Sequence, residues 1–221
     1  MNYLKSIKRF FNLQRGGDLD FVNSTDYWIK RYEVGGNSGA GSYGILAEYK
    51  AQFLNDFVKR NSVSSVIEFG CGDGNNLSLF EFPSYLGLDI SDLVVKKNRE
   101  KFKNDLSLAF LVSNAQNKFT FKADLTLSLD VIYHLIEDTV FESYMSALFD
   151  ASNQFVIIYS SNEEYAHPAQ HVQHRKFDQW IEKNRPNYDL YEAIRNPHKA
   201  ELTGSDSDRS FADFFVFKRI S

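Results

Sequence analysis

The chain has 221 residues, with 25 Lys and Arg against 29 Asp and Glu and a formal net charge of −4, a balance that excludes a globally basic nucleic-acid surface. A hydrophobic share of 43% and an aromatic share of 15% supply the core of one large domain. The single cysteine, Cys71, excludes an intramolecular disulfide, and no apolar run is long enough to span a bilayer. From the N-terminus, residues 1–15 interleave Lys5, Lys8, Arg9 and Arg15 with Leu4, Ile7, Phe10, Phe11 and Leu13 near helical spacing. A short amphipathic helix packed on its own domain is expected, with weak contact to a membrane surface or a partner as the alternative. Residues 16–44 open on Gly16-Gly17-Asp18 and close on the glycine-rich run from Gly35 to Gly44. They predict irregular chain, either a linker or a loop shaped around a ligand. A helix is predicted over 45–59, with Leu46, Tyr49, Phe53, Leu54 and Phe57 on one side. A strand over 63–69, a helix after Asn75 and a strand over 84–89 follow. Next come a helix from a Ser91 cap to about Phe102, a strand over 106–112 and a strand over 125–129. Asp138 is read as capping a helix that carries Phe141, Tyr144, Met145 and Leu148, and a strand covers 154–159. A helix near 177–184 leads to strands over 188–194 and 209–218, which predict an antiparallel hairpin at the sheet edge. Strands alternating with helices imply parallel pairing with right-handed crossovers. There is no internal repeat, low-complexity tract or second domain: segment 1–44 precedes one α/β domain over 45–221.

The chemistry concentrates in Glu68-Phe69-Gly70-Cys71-Gly72-Asp73-Gly74, directly after the strand Val66-Ile67. Glycines there allow a sharp turn and close approach of a ligand to the main chain. Asp89 closes Tyr85-Leu86-Gly87-Leu88-Asp89, one strand later, where a carboxylate can accept from both hydroxyls of a ribose. Dinucleotide enzymes carry Gly-x-Gly-x-x-Gly; this chain has Gly-x-Gly-x-Gly. Glu68 and Asp73 would repel a pyrophosphate and suit a cationic ligand. The plain alternative is an ordinary strand-to-helix turn. Cys71 reads as a small space-filling residue on the ligand wall, since a ligand would cover a thiol there.

These residues resemble motif I of the class I S-adenosylmethionine-dependent methyltransferases, and the element order over residues 45–218 is similar to their fold. That fold is a three-layer, Rossmann-like α/β sheet of seven strands, mostly parallel, with an antiparallel last strand. The resemblance implies S-adenosyl-L-methionine as cofactor, held by Glu68, Gly70, Cys71, Gly72 and Asp73, with Asp89 on the ribose and Ile90 against adenine. Asn114, or its neighbour Ala115, would reach the adenine amino group. The segment from Leu127 to Asp138 resembles the family's stretch after the fourth strand. It implies Asp130 at the cofactor, Tyr133 at the substrate, and His134 beside the methyl group as a candidate base.

Tyr27-Trp28-Ile29-Lys30-Arg31-Tyr32 followed by Gly35 to Gly44 looks like a group of bacterial methyltransferases of surface-polysaccharide and sugar-modification pathways. That likeness implies a lid in which Arg31 pairs with the cofactor carboxylate and Tyr43 meets the substrate. It extends to the stretch from His167 to Trp180. There His167, His171 and His174 with Arg175 and Lys176 make an anion pocket for phosphate or a sugar nucleotide, His167 and Arg175 at the substrate, and His171 and His174 are further candidate bases; a solvated, mildly basic helix start is the bland alternative. No cysteine or carboxylate set accompanies these histidines, so no metal is expected. The implied reaction is methyl transfer to a hydroxyl, amine or phosphoramidate-type group of a sugar, sugar nucleotide or surface (capsule) glycan precursor. The expected partner is a small-molecule or glycan acceptor, with no nucleic acid, in the cytoplasm. Alternatives are a protein or other macromolecule methyltransferase, a non-catalytic S-adenosylmethionine-binding partner, and a dehydrogenase.

Overall fold

The computed structural model describes residues 20–113, 120–199 and 208–220. The N-terminal amphipathic helix expected over 1–15, and the adenine contacts expected of Asn114 and Ala115, lie outside the described residues.

Helix α1 (Ser24–Glu33) begins where Asn23 Oδ1 accepts from the Asp26 amide at 2.8 Å, satisfying one of the free N–H groups of the first turn. It ends at Gly35, whose φ of 84° turns the chain so that the Gly35 and Gly36 amides donate back to Tyr32 and Arg31 carbonyls. The expectation of irregular chain across 16–44 is therefore corrected: an ordered helix occupies part of it, because Asn23 caps one end and the glycines terminate the other. Helix α2 (Gly44–Arg60) buries Leu46, Ala47, Ala51, Leu54, Phe57 and Val58 along one stripe, as its helical periodicity predicts.

The strands are β1 (Val66–Phe69), β2 (Tyr85–Asp89), β3 (Leu108–Val112), β4 (Ala123–Leu129), β5 (Ser152–Ser160), β6 (Tyr165–Ala166), β7 (Gln173–His174), β8 (Tyr188–Ile194) and β9 (Asp213–Arg219). Helices α3 (Asp92–Lys101), α4 (Asp138–Asp150) and α5 (Phe177–Asn184) lie between them. Among the described residues a seven-stranded sheet runs in the order β3-β2-β1-β4-β5-β9-β8. β9 is antiparallel to both its neighbours, and the other six strands are parallel. This is the expected sheet, edge hairpin included. Side chains alternate across it with period two: Phe155, Ile157 and Tyr159 of β5 join the core under α2 and α3, and Val156 and Ile158 join the core under α4 and α5. No helix among the described residues is long and apolar enough to cross a membrane.

Several boundaries differ from expectation for local reasons. The helix expected after Asn75 is a single 3₁₀ turn, Asn76–Leu79. Ser78 Oγ donates back to the Gly74 carbonyl at 2.9 Å, which competes with helical pairing, and Pro83 lies just ahead. β1 starts at Val66 because Asp124 Oδ2 takes the Ser64 and Ser65 amides. β9 starts at Asp213 because Ser210 Oγ takes the Ala212 amide in a turn. Asp138 is the first residue of α4, and Glu137 stands at its N-cap. The short β6–β7 hairpin had no signal in the sequence.

Candidate functional site

The loop after β1 gathers the site. Gly70 and Gly72 have φ of 80° and 57°, values costly for any residue with a Cβ. Both are also crowded: a Cβ on Gly70 would sit 2.5 Å from Val131 Cγ2, and one on Gly72 would sit 2.3 Å from Ser38 Oγ. The Gly72 amide donates to Asp89 Oδ2 at 3.0 Å and the Ser91 amide to Asp89 Oδ1 at 2.9 Å. Each Asp89 oxygen thus holds one backbone donor and keeps acceptor capacity for another. Burial pushes the Asp89 carboxyl up to about 6.

Glu68 is buried on the α2 face of β1 and accepts from the Tyr85 hydroxyl at 2.5 Å. Burial pushes its carboxyl up to about 7. An acid raised in this way contributes stability that is complete below its ordinary value of 4.5 and lost as pH rises through about 7. Glu68→Gln keeps an acceptor for Tyr85 without the charge. The ligand-free variant is expected to match the wild type near pH ~4. Near about pH 8 it should be more stable by up to about 3 kcal/mol, several degrees in Tm. Thermal melts at the two pH values check this, and a difference independent of pH would refute it.

The glycine-rich segment folds onto this turn. Asp73 Oδ2 accepts from the Ser38 amide at 2.9 Å and the Tyr43 hydroxyl at 2.7 Å, and Ser38 Oγ accepts from the Asp73 amide at 2.8 Å. Asn75 Nδ2 donates to the Ser42 carbonyl at 2.7 Å. Asp73, expected on the cofactor, therefore latches the lid, and Tyr43, expected on the substrate, is its partner in that latch. Arg31, expected to pair with a cofactor carboxylate, is buried beneath the lid. Its Nε donates to the Asn37 carbonyl at 2.7 Å and its guanidinium lies over the Trp28 ring.

Helix α1 is pinned to the segment after β4. The Ser24 amide donates to Glu137 Oε1 at 3.0 Å, and the Ile136 amide donates to Ser24 Oγ at 2.9 Å. Trp28 meets His134 edge to face at 4.9 Å, and Tyr27 stacks on His171 at 4.4 Å. His134 Nδ1 lies 2.8 Å from the His171 carbonyl, which only accepts, so Nδ1 carries the hydrogen and Nε2 the lone pair. Burial pushes His134 down to about 3 and His171 and His174 to about 4. His174 is buried with Nδ1 2.6 Å from Ser161 Oγ, and burial lowers His167 as well. His134, His171 and His174 are thus neutral at neutral pH.

Arg175 Nη1 pairs with Asp138 Oδ1 at 2.7 Å, Nη2 donates to the Ile136 carbonyl at 2.7 Å, and the guanidinium covers the Phe141 ring. The expected anion pocket is thus corrected: burial lowers its histidines, and its arginine ties α4 to the preceding loop. Among the described residues no group of three His, Cys, Asp or Glu side chains is arranged to hold a metal ion.

Of the expected residues, Glu68, Gly70, Cys71, Gly72, Asp89, Ile90, Asp130 and His134 line one cleft at the carboxyl ends of β1, β2 and β4. The cleft opens to solvent at its mouth. Arg31, Tyr43, Asp73, Tyr133, His167, His171, His174 and Arg175 are not on its wall. Cys71 sits there as the small residue expected, its thiol pushed well up by burial. Trp28, Tyr32, Ser38 and Ser42 of the expected lid segment are on the wall, and sequence reasoning missed Ser24, Thr25 and Asn76 there. The Asn23 cap ahead of an aromatic run was the available signal for α1. It also missed Lys50, fully buried on α2, whose Nζ lies 2.5 Å from Asp130 Oδ2; nothing in a helix stripe marks which lysine will be buried.

Residues 44–198 match the family described as a methyltransferase domain. Among solved structures, the N-methyltransferase NodS from Bradyrhizobium japonicum WM9, in complex with S-adenosyl-L-homocysteine, is similar with a TM-score of 0.62 and 14% identity, over 90% of this chain and 99% of that one. The methyltransferase domain of bacterial CtHen1-C has a TM-score of 0.60 at 20% identity, over 78% of this chain and 97% of that one. Magnesium protoporphyrin IX methyltransferase (ChlM) from Synechocystis PCC 6803, with bound S-adenosyl-L-homocysteine, has a TM-score of 0.58 at 16% identity, over 97% and 94%. At such identities the likeness carries the fold. Among curated proteins no sequence matches the chain.

Proposed function

This chain belongs to the methyltransferase-domain family and uses S-adenosylmethionine as its donor, and on that premise we propose that it methylates a hydroxyl or amine of a small acceptor of sugar type, free, nucleotide-linked or at the end of a glycan precursor. The donor fits the cleft. Asp89 is a buried carboxylate with one backbone N–H on each oxygen and room on each for a ribose hydroxyl. Glu68, Asp89 and Asp130 line the cleft, and among the described residues no Lys or Arg does. Such a wall suits a cationic sulfonium and disfavours the pyrophosphate a dehydrogenase would bring.

When bound, the donor supplies an electrophilic methyl group on a positively charged sulfur. The chain's own part is to hold, orient and enclose. In this reading Asp89 grips the ribose, Ile90 covers the base, the Gly70–Gly72 turn gives main-chain access, and the lid excludes water.

One observation carries the small-acceptor reading: the cleft is walled on the side away from the strands by α1 and the glycine segment, through Ser24, Thr25, Trp28, Tyr32, Ser38 and Ser42. A roof held by that many tertiary bonds suits a small molecule or chain end better than a folded macromolecule. Trp28 beside His134 offers an aromatic face, and Ser24 and Thr25 offer hydroxyls, a pairing that suits a sugar ring. The test is mass spectrometry of surface glycans and sugar-nucleotide pools from cells with and without the protein. One methyl group is expected to vanish from a defined sugar; identical methylation in every such pool would remove the acceptor reading.

A further inference from the structure

Lys50 is fully buried on α2, with its ammonium 2.5 Å from Asp130 Oδ2 and 5.2 Å from the centre of the Tyr159 ring. Withdrawing two charges from water is costly, and an apolar pair of similar volume often serves stability as well or better. An ion pair set at the edge of a ligand cleft therefore points to a task beyond stability.

Asp130 follows β4 directly, in the left-handed backbone region at φ 59°. Such conformations in residues other than glycine gather at functional sites. The Tyr133 hydroxyl donates to its Oδ1 at 2.8 Å. The lid comes down on the same carboxylate: a Cβ on Gly41 would lie 2.8 Å from Oδ2. Lys50 and Tyr133 thus occupy one acceptor position on each oxygen and leave others open, on a side chain that is 13% exposed and lines the cleft. Asp89 ends β2 and Asp130 follows β4, with β1 between them, a separation of about 10 Å at the usual strand spacing. If Asp89 takes the ribose, Asp130 stands toward the other end of the cleft, with His134 and the lid.

We propose that Asp130, oriented by Lys50 and Tyr133, is the acceptor-facing carboxylate, and that it restricts the acceptor to groups that bring a hydrogen, amines or hydroxyls, and rejects carboxylates. This deepens the methyltransferase reading and rests on it. The acceptor's N–H or O–H donates to Asp130, which aims its lone pair into the cleft. That lone pair forms the new bond to the methyl carbon, the electrons of the breaking carbon–sulfur bond remain on sulfur, and the acceptor's proton passes to Asp130 and on to solvent. A carboxylate acceptor has no hydrogen to donate and meets a like charge. Lys50 is a positioning residue: its ammonium fixes the Asp130 rotamer.

The test needs no acceptor. Sinefungin carries an amine-bearing carbon where the donor has sulfur and its methyl group, and so presents an ammonium at the transfer point; S-adenosylhomocysteine presents nothing there. Calorimetry is expected to give the wild type a preference for sinefungin of about tenfold, as a charge-assisted contact provides. Asp130→Asn and Lys50→Met should lose that preference while S-adenosylhomocysteine still binds, and Lys50→Arg should restore it. A merely structural Lys50 would change both affinities together. A wild type that does not prefer sinefungin, which reads independently of how any variant folds, overturns the inference, as does a preference that survives Asp130→Asn. Failure of the wild type to bind either ligand overturns the donor reading beneath it.

Discussion

Asp89→Ala is expected to lower affinity for S-adenosylhomocysteine by about a hundredfold or more. Two hydrogen bonds to an ionised carboxylate contribute about 1.5–3 kcal/mol each, and about 1.4 kcal/mol is a factor of ten. The truncation also strips the Gly72 and Ser91 amides of their acceptor, so the glycine turn loses its anchor together with the ligand's. Asp89→Asn keeps one good acceptor and should fall between. Because burial raises the Asp89 carboxyl to about 6, the ionised form that accepts both hydroxyls gives way as pH drops through that value. Wild-type affinity should fall about tenfold by one pH unit below it, and Asp89→Ala should lose this dependence. Calorimetry across pH reads both effects. Undiminished binding by Asp89→Ala would mean that the nucleoside lies elsewhere.

Asp73→Ala is expected to unlatch the lid. Its carboxylate holds the Ser38 amide, the Tyr43 hydroxyl and the Asn75 amide. Burial, then the neighbouring Asp73, push the Tyr43 hydroxyl well above its ordinary range, so it remains a donor. Bonds to a charged acceptor contribute about 1.5–3 kcal/mol each, and losing those to Ser38 and Tyr43 should speed dissociation of S-adenosylhomocysteine by about a hundredfold. Turnover should drop in parallel, because an open lid admits water and loosens the acceptor. Tyr43→Phe removes one of these bonds and should give about a tenfold change. Stopped-flow dissociation measures each rate. An off-rate unmoved by Asp73→Ala would mean that the segment does not gate the cleft, whatever its hydrogen bonds.

Much of this was legible in the chain, for local reasons. The order of strands and helices followed from periodicity, and the turn after β1 from glycines at positions whose backbone has positive φ. Asp89 followed from a carboxylate placed at a strand end one unit later. The first helix was hidden by the glycines around it, although Asn23 and Gly35 mark its ends. The helix after Asn75 failed because Ser78 bonds back to Gly74, a competition that periodicity does not register.

The rest depended on what lies across from what. Arg175 looked like an anion ligand until Asp138, 37 residues away, and the Ile136 carbonyl were brought beside it. The histidines looked like bases until burial pushed them to about 3 and 4. Asp73 carries the charge expected of it, but the Ser38 amide and the Tyr43 hydroxyl lie against its carboxylate. Lys50 and Asp130 are 80 residues apart, and no local pattern joins them. Backbone geometry and hydrophobic period are written residue by residue, so the sequence alone determined the α/β sheet, its glycine turn and the carboxylate at the tip of β2. Ionisation and hydrogen-bond partnership depend on burial and on neighbours distant in sequence, so the tertiary structure alone decided which charged side chains face the cleft and which brace its walls.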